Sequence, residues 1–265
     1  MDIKGKTIVI TGGANGIGKA LAGQFKVQGA KAIALLDIEA DTLEKTASAL
    51  GAEAYRVDLR DENSLKTALD EIIEKFGSID LYCSNAGIGL GDGPSWDVGG
   101  ATNEGWQAAW NINVMAHVFA ARALVPHWRK QGGGYMLITA SAAGLLSQIG
   151  DAAYSTTKHA VIGFAESLAI THGVDGVKVS VLCPQAVDTR MIANIKGGAQ
   201  DVDGVMSPEA LATKTIAGLA EESFLILPHE EVEGYRQFKA KDYDKWISGM
   251  QKFRAQIIKD KGSPL

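Results

Sequence analysis

Short apolar runs alternate with longer amphipathic stretches along almost the whole chain. No other feature of the sequence restricts the fold so strongly. The runs lie at 7–11, 32–37, 54–58, 80–84, 135–139, 178–183 and 224–227, and several are apolar at nearly every position. That is the pattern of a parallel strand covered on both faces. Helix-period stretches fill the gaps, at 17–28, 41–49, 61–76, 103–130, 152–171 and 208–220. The alternation predicts an α/β fold with a doubly wound parallel sheet of about seven strands and helices on both faces. There is no composition break and no repeat, so 1–265 reads as a single domain. The tail, 228–265, scatters Tyr235, Phe238, Tyr243, Trp246 and Phe253 among charges. It reads as helical, and as packing on the body rather than carrying chemistry.

Two segments break the pattern. Residues 88–102 are glycine-rich and carry Pro94 and Trp96, and 191–207 contain Gly197, Gly198 and Gly204. Both follow strands at their carboxyl ends, where open α/β sheets bind ligands. The plainer reading is ordinary surface loops. Composition narrows the function further. The net charge of −5 is interspersed and there is no long basic run, which argues against a nucleic-acid surface. Cys83 and Cys183 sit in apolar strand runs and read as reduced core residues. Residues 1–6 lead straight into the first strand, leaving no room for a leader, and no apolar run is long enough for a membrane span. A cytoplasmic enzyme is expected. Histidines 117, 127, 159, 172 and 229 show no metal spacing, so no metal is expected.

Between the first strand and first helix stands Thr11-Gly12-Gly13-Ala14-Asn15-Gly16-Ile17-Gly18. Side chains at 12, 16 and 18 would block a tight turn and the approach of a pyrophosphate to backbone N–H groups. The helix amino terminus favours the phosphate charge. Strand before and helix after make this a Rossmann-type dinucleotide cradle, with Gly-x-x-x-Gly-x-Gly spacing. Asp37, nineteen residues past Gly18, ends the second strand. Its carboxylate can accept from both adenine-ribose hydroxyls and would repel a 2′-phosphate. No lysine or arginine occupies 13–15 or 38–40, so NAD is favoured over NADP. Asp58, followed by Leu59, ends the third strand; it either reaches the adenine amino group or caps a turn before Asp61.

A second constellation lies downstream. Tyr154 and Lys158 stand four residues apart on one predicted helix, hence on one face, and Ser141 precedes Tyr154 by thirteen residues. A phenol is a poor base, with a reference pKa of ~10. A nearby ammonium stabilises the phenolate and lowers that value. A serine hydroxyl can hold the substrate oxygen beside it.

With these motifs the chain resembles the short-chain dehydrogenase/reductase family, in its single-domain, NAD-preferring branch, over roughly residues 5–228. The resemblance rests on Thr11-Gly12-x-x-x-Gly16-Ile17-Gly18, Asn85-Ala86-Gly87, Asn113, Ser141, Tyr154-Ser155-x-x-Lys158, and Pro184 with Thr189. It implies that Asn85, Ala86 and Gly87 lie beside the adenine ribose, and that Asn113 holds a water in a proton relay. Asn111 competes for that role, but Asn113 stands thirteen residues before Pro126, as the family pattern prefers. Tyr154 is implied as general acid/base, Ser141 as its partner on the substrate oxygen, and Lys158 as the ligand of the nicotinamide ribose. Val187 and Thr189 are implied beside the nicotinamide carboxamide and phosphate. One departure stands out: Gln185 follows Pro184 where the family has glycine. Gln185 points either toward substrate or outward.

Position alone marks Ala143, Gln148, Asp151, Gln185, Trp96 and Met191, with Ser141, as substrate residues. The mixture suggests a largely apolar secondary alcohol or ketone with a polar handle. The helical stretches 103–130 and 152–171 are apolar beyond one face, at Val114, Val118, Ala121, Ala160, Val161, Phe164 and Leu168. Relatives pair these helices across a two-fold axis, so a homotetramer is expected, with a dimer second. Two other functions compete with an NAD-dependent alcohol dehydrogenase: an NADPH-linked carbonyl reductase, against which Asp37 argues, and a non-catalytic nucleotide sensor, against which Tyr154 and Lys158 argue.

Overall fold

A computed structural model of the chain describes residues 1–93, 97–193 and 202–261. Seven parallel strands form one sheet in the order β3-β2-β1-β4-β5-β6-β7. They are β1 (Thr7–Thr11), β2 (Ala32–Asp37), β3 (Glu53–Arg56), β4 (Leu81–Ser84), β5 (Gly134–Thr139), β6 (Val177–Leu182) and β7 (Leu225–Ile226). Every residue of β1 and β4 is buried, as their unbroken apolar character requires. The strand order reverses between β1 and β4, and the crevice at their carboxyl ends is where such sheets take ligands.

The connecting helices cover both faces. Tyr82, Trp128, Ile72 and Val161 lie in the core on one side of the sheet, and Leu21, Phe25, Leu35 and Leu211 on the other. Trp128 is fully buried, and its indole N–H donates to the Ile79 carbonyl at 2.8 Å, so burial strands no polar atom there. The helices are α1 (Gly16–Val27), α2 (Ala40–Leu50), α3 (Glu62–Phe76), α4 (Asn103–Trp110), α5 (Ala116–Gln131), α6 (Ala143–Leu146), α7 (Ala152–His172), α8 (Pro208–Glu221), α9 (Glu231–Lys241) and α10 (Tyr243–Lys261). Their starts follow the capping residues: Asp61 accepts from Asn63 N–H, Asp151 from Tyr154 N–H, and Ser207 from Ala210 N–H with Pro208 in the first turn.

The stretch read as one helix over 103–130 is instead α4 and α5 joined by a π-helical turn, Asn111–Met115. Ala116 N–H bonds to the Asn111 carbonyl, five residues back rather than four. The third strand stops at Arg56, two residues short of its expected end. Asp58 folds the chain over there by accepting from Arg60 N–H at 3.0 Å, and its carbonyl accepts from Asp61 N–H. The short helix α6 had no period long enough to read. No helix among the described residues is long and apolar enough to cross a membrane.

Candidate active site

A cavity of about 750 Å³ opens at the carboxyl ends of the central strands, and most of the expected site residues line it. Gly12, Asn15, Gly16 and Ile17 form one end; Asn85, Ala86 and Gly87 the floor; Ser141, Tyr154 and Lys158 the middle; Pro184, Gln185, Val187 and Thr189 the far wall.

The glycine turn is built as its spacing demanded. Gly12 has φ +64° and Gly16 φ +50°, both left-handed. A β-carbon on Gly18 would stand 2.1 Å from the Gly12 carbonyl oxygen, so the turn can close on α1 only through glycine. No side chain caps α1, and its first turn carries no acid. The Asn15 amide reaches to Glu39 instead, at 3.4 Å. An uncapped helix start lining a cavity suits an anionic pyrophosphate, so the residues present fit a dinucleotide. Asp37 sits against this turn, one carboxylate oxygen accepting from Ala14 N–H at 3.1 Å. Asp58 and Leu59 do not join the cavity. Asp58 is clamped by the Arg60 guanidinium, at 2.6 Å on one oxygen, which holds its carboxyl below the usual carboxylate range. Leu59 packs into the core.

Asn113 is wholly buried in the π turn. Its side-chain oxygen accepts from Ile88 N–H, and its amide donates to the Ile88 carbonyl, both at 2.9 Å. The same amide donates to Thr157 Oγ1 at 3.0 Å. The side chain thus pairs with the backbone after β4 as a neighbouring strand would. Ser141 Oγ accepts from Ala143 N–H at 3.1 Å and donates to the Pro184 carbonyl at 3.4 Å, and it lines the same cavity as the Tyr154 phenol. Lys158 is 2% exposed, and its ammonium donates to the Thr139 carbonyl at 3.0 Å, 5.5 Å from the centre of the Tyr154 ring. Burial pulls Lys158 down to about 8. Burial also pushes the Tyr154 phenol up, against the lowering pull of Ser141. In this dry site both groups therefore lean toward their neutral forms.

The expected substrate residues divide. Ala143, Gln148, Gln185 and Met191 line the cavity; Trp96 lies outside the described residues. Asp151 lines it too, but its carboxylate is committed to the backbone. One oxygen caps α7 at Tyr154 N–H, and the other accepts from Leu90 and Gly91 N–H, each at 2.9 Å. Asp92 answers by accepting from Ala152 N–H at 2.8 Å. Asp151 is thereby an anchor for the segment 90–92, not a free acceptor. Gln185 turns inward, donating to Asp203 at 3.0 Å, and Tyr235 donates to the other Asp203 oxygen at 3.0 Å.

Three features escaped the sequence. Thr157 and Thr139 supply the partners of Asn113 and Lys158, and hydroxyls or carbonyls of that kind have no signature. Arg190 pairs with Glu39 across 151 residues at 2.8 Å, so a cation does stand on the rim near the glycine turn, already matched by an acid. The tail, expected only to pack, lines the cavity with Tyr235, Trp246, Met250 and Phe253.

A Rossmann-type sheet with a glycine turn and a buried serine–tyrosine–lysine group defines a dinucleotide-binding α/β protein. The family model for short chain dehydrogenases matches residues 6–199. The chain belongs to the short chain dehydrogenase family. It is 33% identical over 230 residues to 1-deoxy-11-beta-hydroxypentalenate dehydrogenase of Streptomyces exfoliatus, covering 84% of this chain and 81% of that one. It is 30% identical to meso-2,3-butanediol dehydrogenase of Serratia marcescens over 252 residues, 94% of this chain and 92% of that one. A solved short chain dehydrogenase/reductase from Burkholderia phymatum, in complex with NAD, superposes with a TM-score of 0.82 at 27% identity, covering 92% of this chain and 96% of that one.

Proposed function

We propose that this protein is an NAD-dependent oxidoreductase acting on a secondary alcohol or its ketone, with Tyr154 as general acid/base. The observation that carries the reading is the gathering of Ser141, Tyr154 and Lys158 on the wall of one cavity, with the Lys158 ammonium 5.5 Å from the centre of the Tyr154 ring. Family membership and relatives named as dehydrogenases support it.

Nicotinamide, when bound, supplies the hydride acceptor or donor. The glycine turn and the uncapped start of α1 would hold the pyrophosphate, and Asp37 the adenine ribose. In oxidation, Ser141 and Tyr154 grip the substrate oxygen, and the Tyr154 phenolate removes the hydroxyl proton. Lys158 steadies that phenolate, and the proton taken up by Tyr154 leaves for solvent past Lys158 through a water held at Asn113. A base tuned to working pH typically contributes roughly 10²–10⁴-fold. Asp37 supports NAD over NADP, since its carboxylate would meet a 2′-phosphate at close range and Arg190 is already paired with Glu39.

The test is Tyr154→Phe. Turnover of secondary alcohols, followed as NADH absorbance, should vanish while NADH binding by fluorescence stays within a few-fold. Substantial residual turnover would remove Tyr154 from the mechanism.

We also infer pairing of copies through α5 and α7. Val118, Arg122, Phe164 and Leu168 border a shallow apolar groove there. Ala121 lines that groove as well, whereas Val114 and Val161 are buried within the chain and lie outside it. A homotetramer, or failing that a dimer, is expected by light scattering; a monomer at working concentration would overturn it.

A further inference from the structure

Helix α10 has one apolar stripe. Trp246, Met250, Phe253 and Ile257 recur at helical spacing, while Lys245, Lys252 and Asp260 are exposed around them. Amphipathic helices normally bury such a stripe in their own core. Here Trp246 and Ile257 are buried, but Met250 and Phe253 are only half-buried, and Trp246, Met250 and Phe253 all line the cavity that holds Tyr154. The stripe faces a space that something else must fill.

That space is fixed in place. Trp246 packs with Ala142, Leu146 and Val232, so the roof rests on the helix that follows Ser141. Lys239 of α9 donates to the Leu145 carbonyl at 2.6 Å. Asp203 clasps Gln185 on one oxygen and Tyr235 of α9 on the other, joining the far wall to the roof. The roof brings no charge to the cavity: the lining side chains of α9 and α10 are Tyr235, Trp246, Met250 and Phe253. On the other walls Asp151 is held by three backbone N–H groups and Arg190 by Glu39, and the Lys158 ammonium lies buried beside Tyr154. An ionised group placed against the roof would lose its hydration with no counter-charge to meet it there.

We propose that α10 is a substrate-recognition element, and that the substrate is an uncharged secondary alcohol or ketone with a bulky hydrocarbon body that reaches from Tyr154 to Met250 and Phe253. The inference rests on the proposed alcohol oxidation and adds the class of molecule oxidised. Aromatic rings and a flexible thioether suit a rigid alicyclic or aromatic frame better than a short polar chain.

The experiment measures NADH formation by the full chain with borneol, 1-tetralol, 2-butanol and 3-hydroxybutyrate. The two bulky neutral alcohols should exceed 2-butanol and the hydroxy acid anion by about 100-fold in kcat/KM. Met250→Ala and Phe253→Ala, at half-buried positions where folding survives, should each cut the borneol-to-2-butanol ratio about tenfold and leave NADH affinity unaltered. Equal or better use of 2-butanol or 3-hydroxybutyrate would overturn the inference while leaving alcohol oxidation standing. So would variants that lower every substrate in the same proportion. No NADH from any alcohol would overturn both.

Discussion

A β-carbon placed on Gly87 would stand 3.2 Å from the ammonium of Lys158 and 3.3 Å from the Asn113 side-chain oxygen. Gly87 is therefore the clearance that lets Asn113 reach Ile88 and Lys158 reach the Thr139 carbonyl side by side. Gly87→Ala should displace Lys158 by a few tenths of an ångström and cut kcat about tenfold, with little change in melting temperature, because the ammonium is the mobile end of its side chain. Steady-state kinetics beside a thermal melt would check it. An unchanged kcat would show that the site tolerates the crowding.

Asn113 satisfies both backbone groups of Ile88. Asn113→Ala should leave them unpaired in a half-buried place, at a cost of about 1–3 kcal/mol, and suppress turnover. Asn113→Asp keeps the acceptor and loses the donors, so its melting temperature should fall between wild type and the alanine variant. Denaturant unfolding of the three proteins gives the order.

Lys158 carries a pH signature. Its folded value is about 8 against an unfolded value near 10.5, so between those values the unfolded chain binds more protons and stability rises with pH. Below about 8 the folded state bears the whole penalty of a buried cation. Lys158→Met should thus raise stability at pH 7 by about 1–3 kcal/mol and flatten that rise, while turnover is lost. A less stable variant would mean that the bond to Thr139 outweighs the burial penalty.

Asp37→Ser removes the charge beside Ala14. The ratio of NADPH to NADH affinity should rise about tenfold or more, read by fluorescence titration of both nucleotides. Failure of the ratio to move would assign the cofactor preference elsewhere on the rim.

Asp151→Asn keeps the size of the side chain but weakens three bonds to backbone N–H groups. It should cost about 1–2 kcal/mol and speed proteolysis within 88–93, since Leu90 and Gly91 lose their anchor. Limited proteolysis followed by mass spectrometry reads the site of cleavage.

The sheet was legible because buried parallel strands leave unbroken apolar runs, and the glycine turn because only glycine tolerates its backbone. Ser141, Tyr154 and Lys158 were legible because chemistry fixes residue type and spacing together. What stayed hidden depended on contacts between distant segments. Nothing near Asp151 announces that its carboxylate belongs to Leu90 and Gly91, or that Asp58 would be claimed by Arg60 two residues on. Arg190 and Glu39 meet only after the sheet has formed. The roof of the cavity is a different case: the spacing of Trp246, Met250, Phe253 and Ile257 was in the sequence, but a helical stripe does not say whether it faces a core or a chamber.

The π turn at Asn111–Met115 holds one residue more than a regular helix would need there. A wide turn takes up its surplus locally, so α4 and α5 keep the phase of one continuous helix. Removing one residue of the five would restore regular winding and leave in place the face that α4 shows to α7. What would change is the aim of the side chains inside the turn, Asn113 among them. In this stretch the extra length serves the direction of one amide rather than the path of the rod.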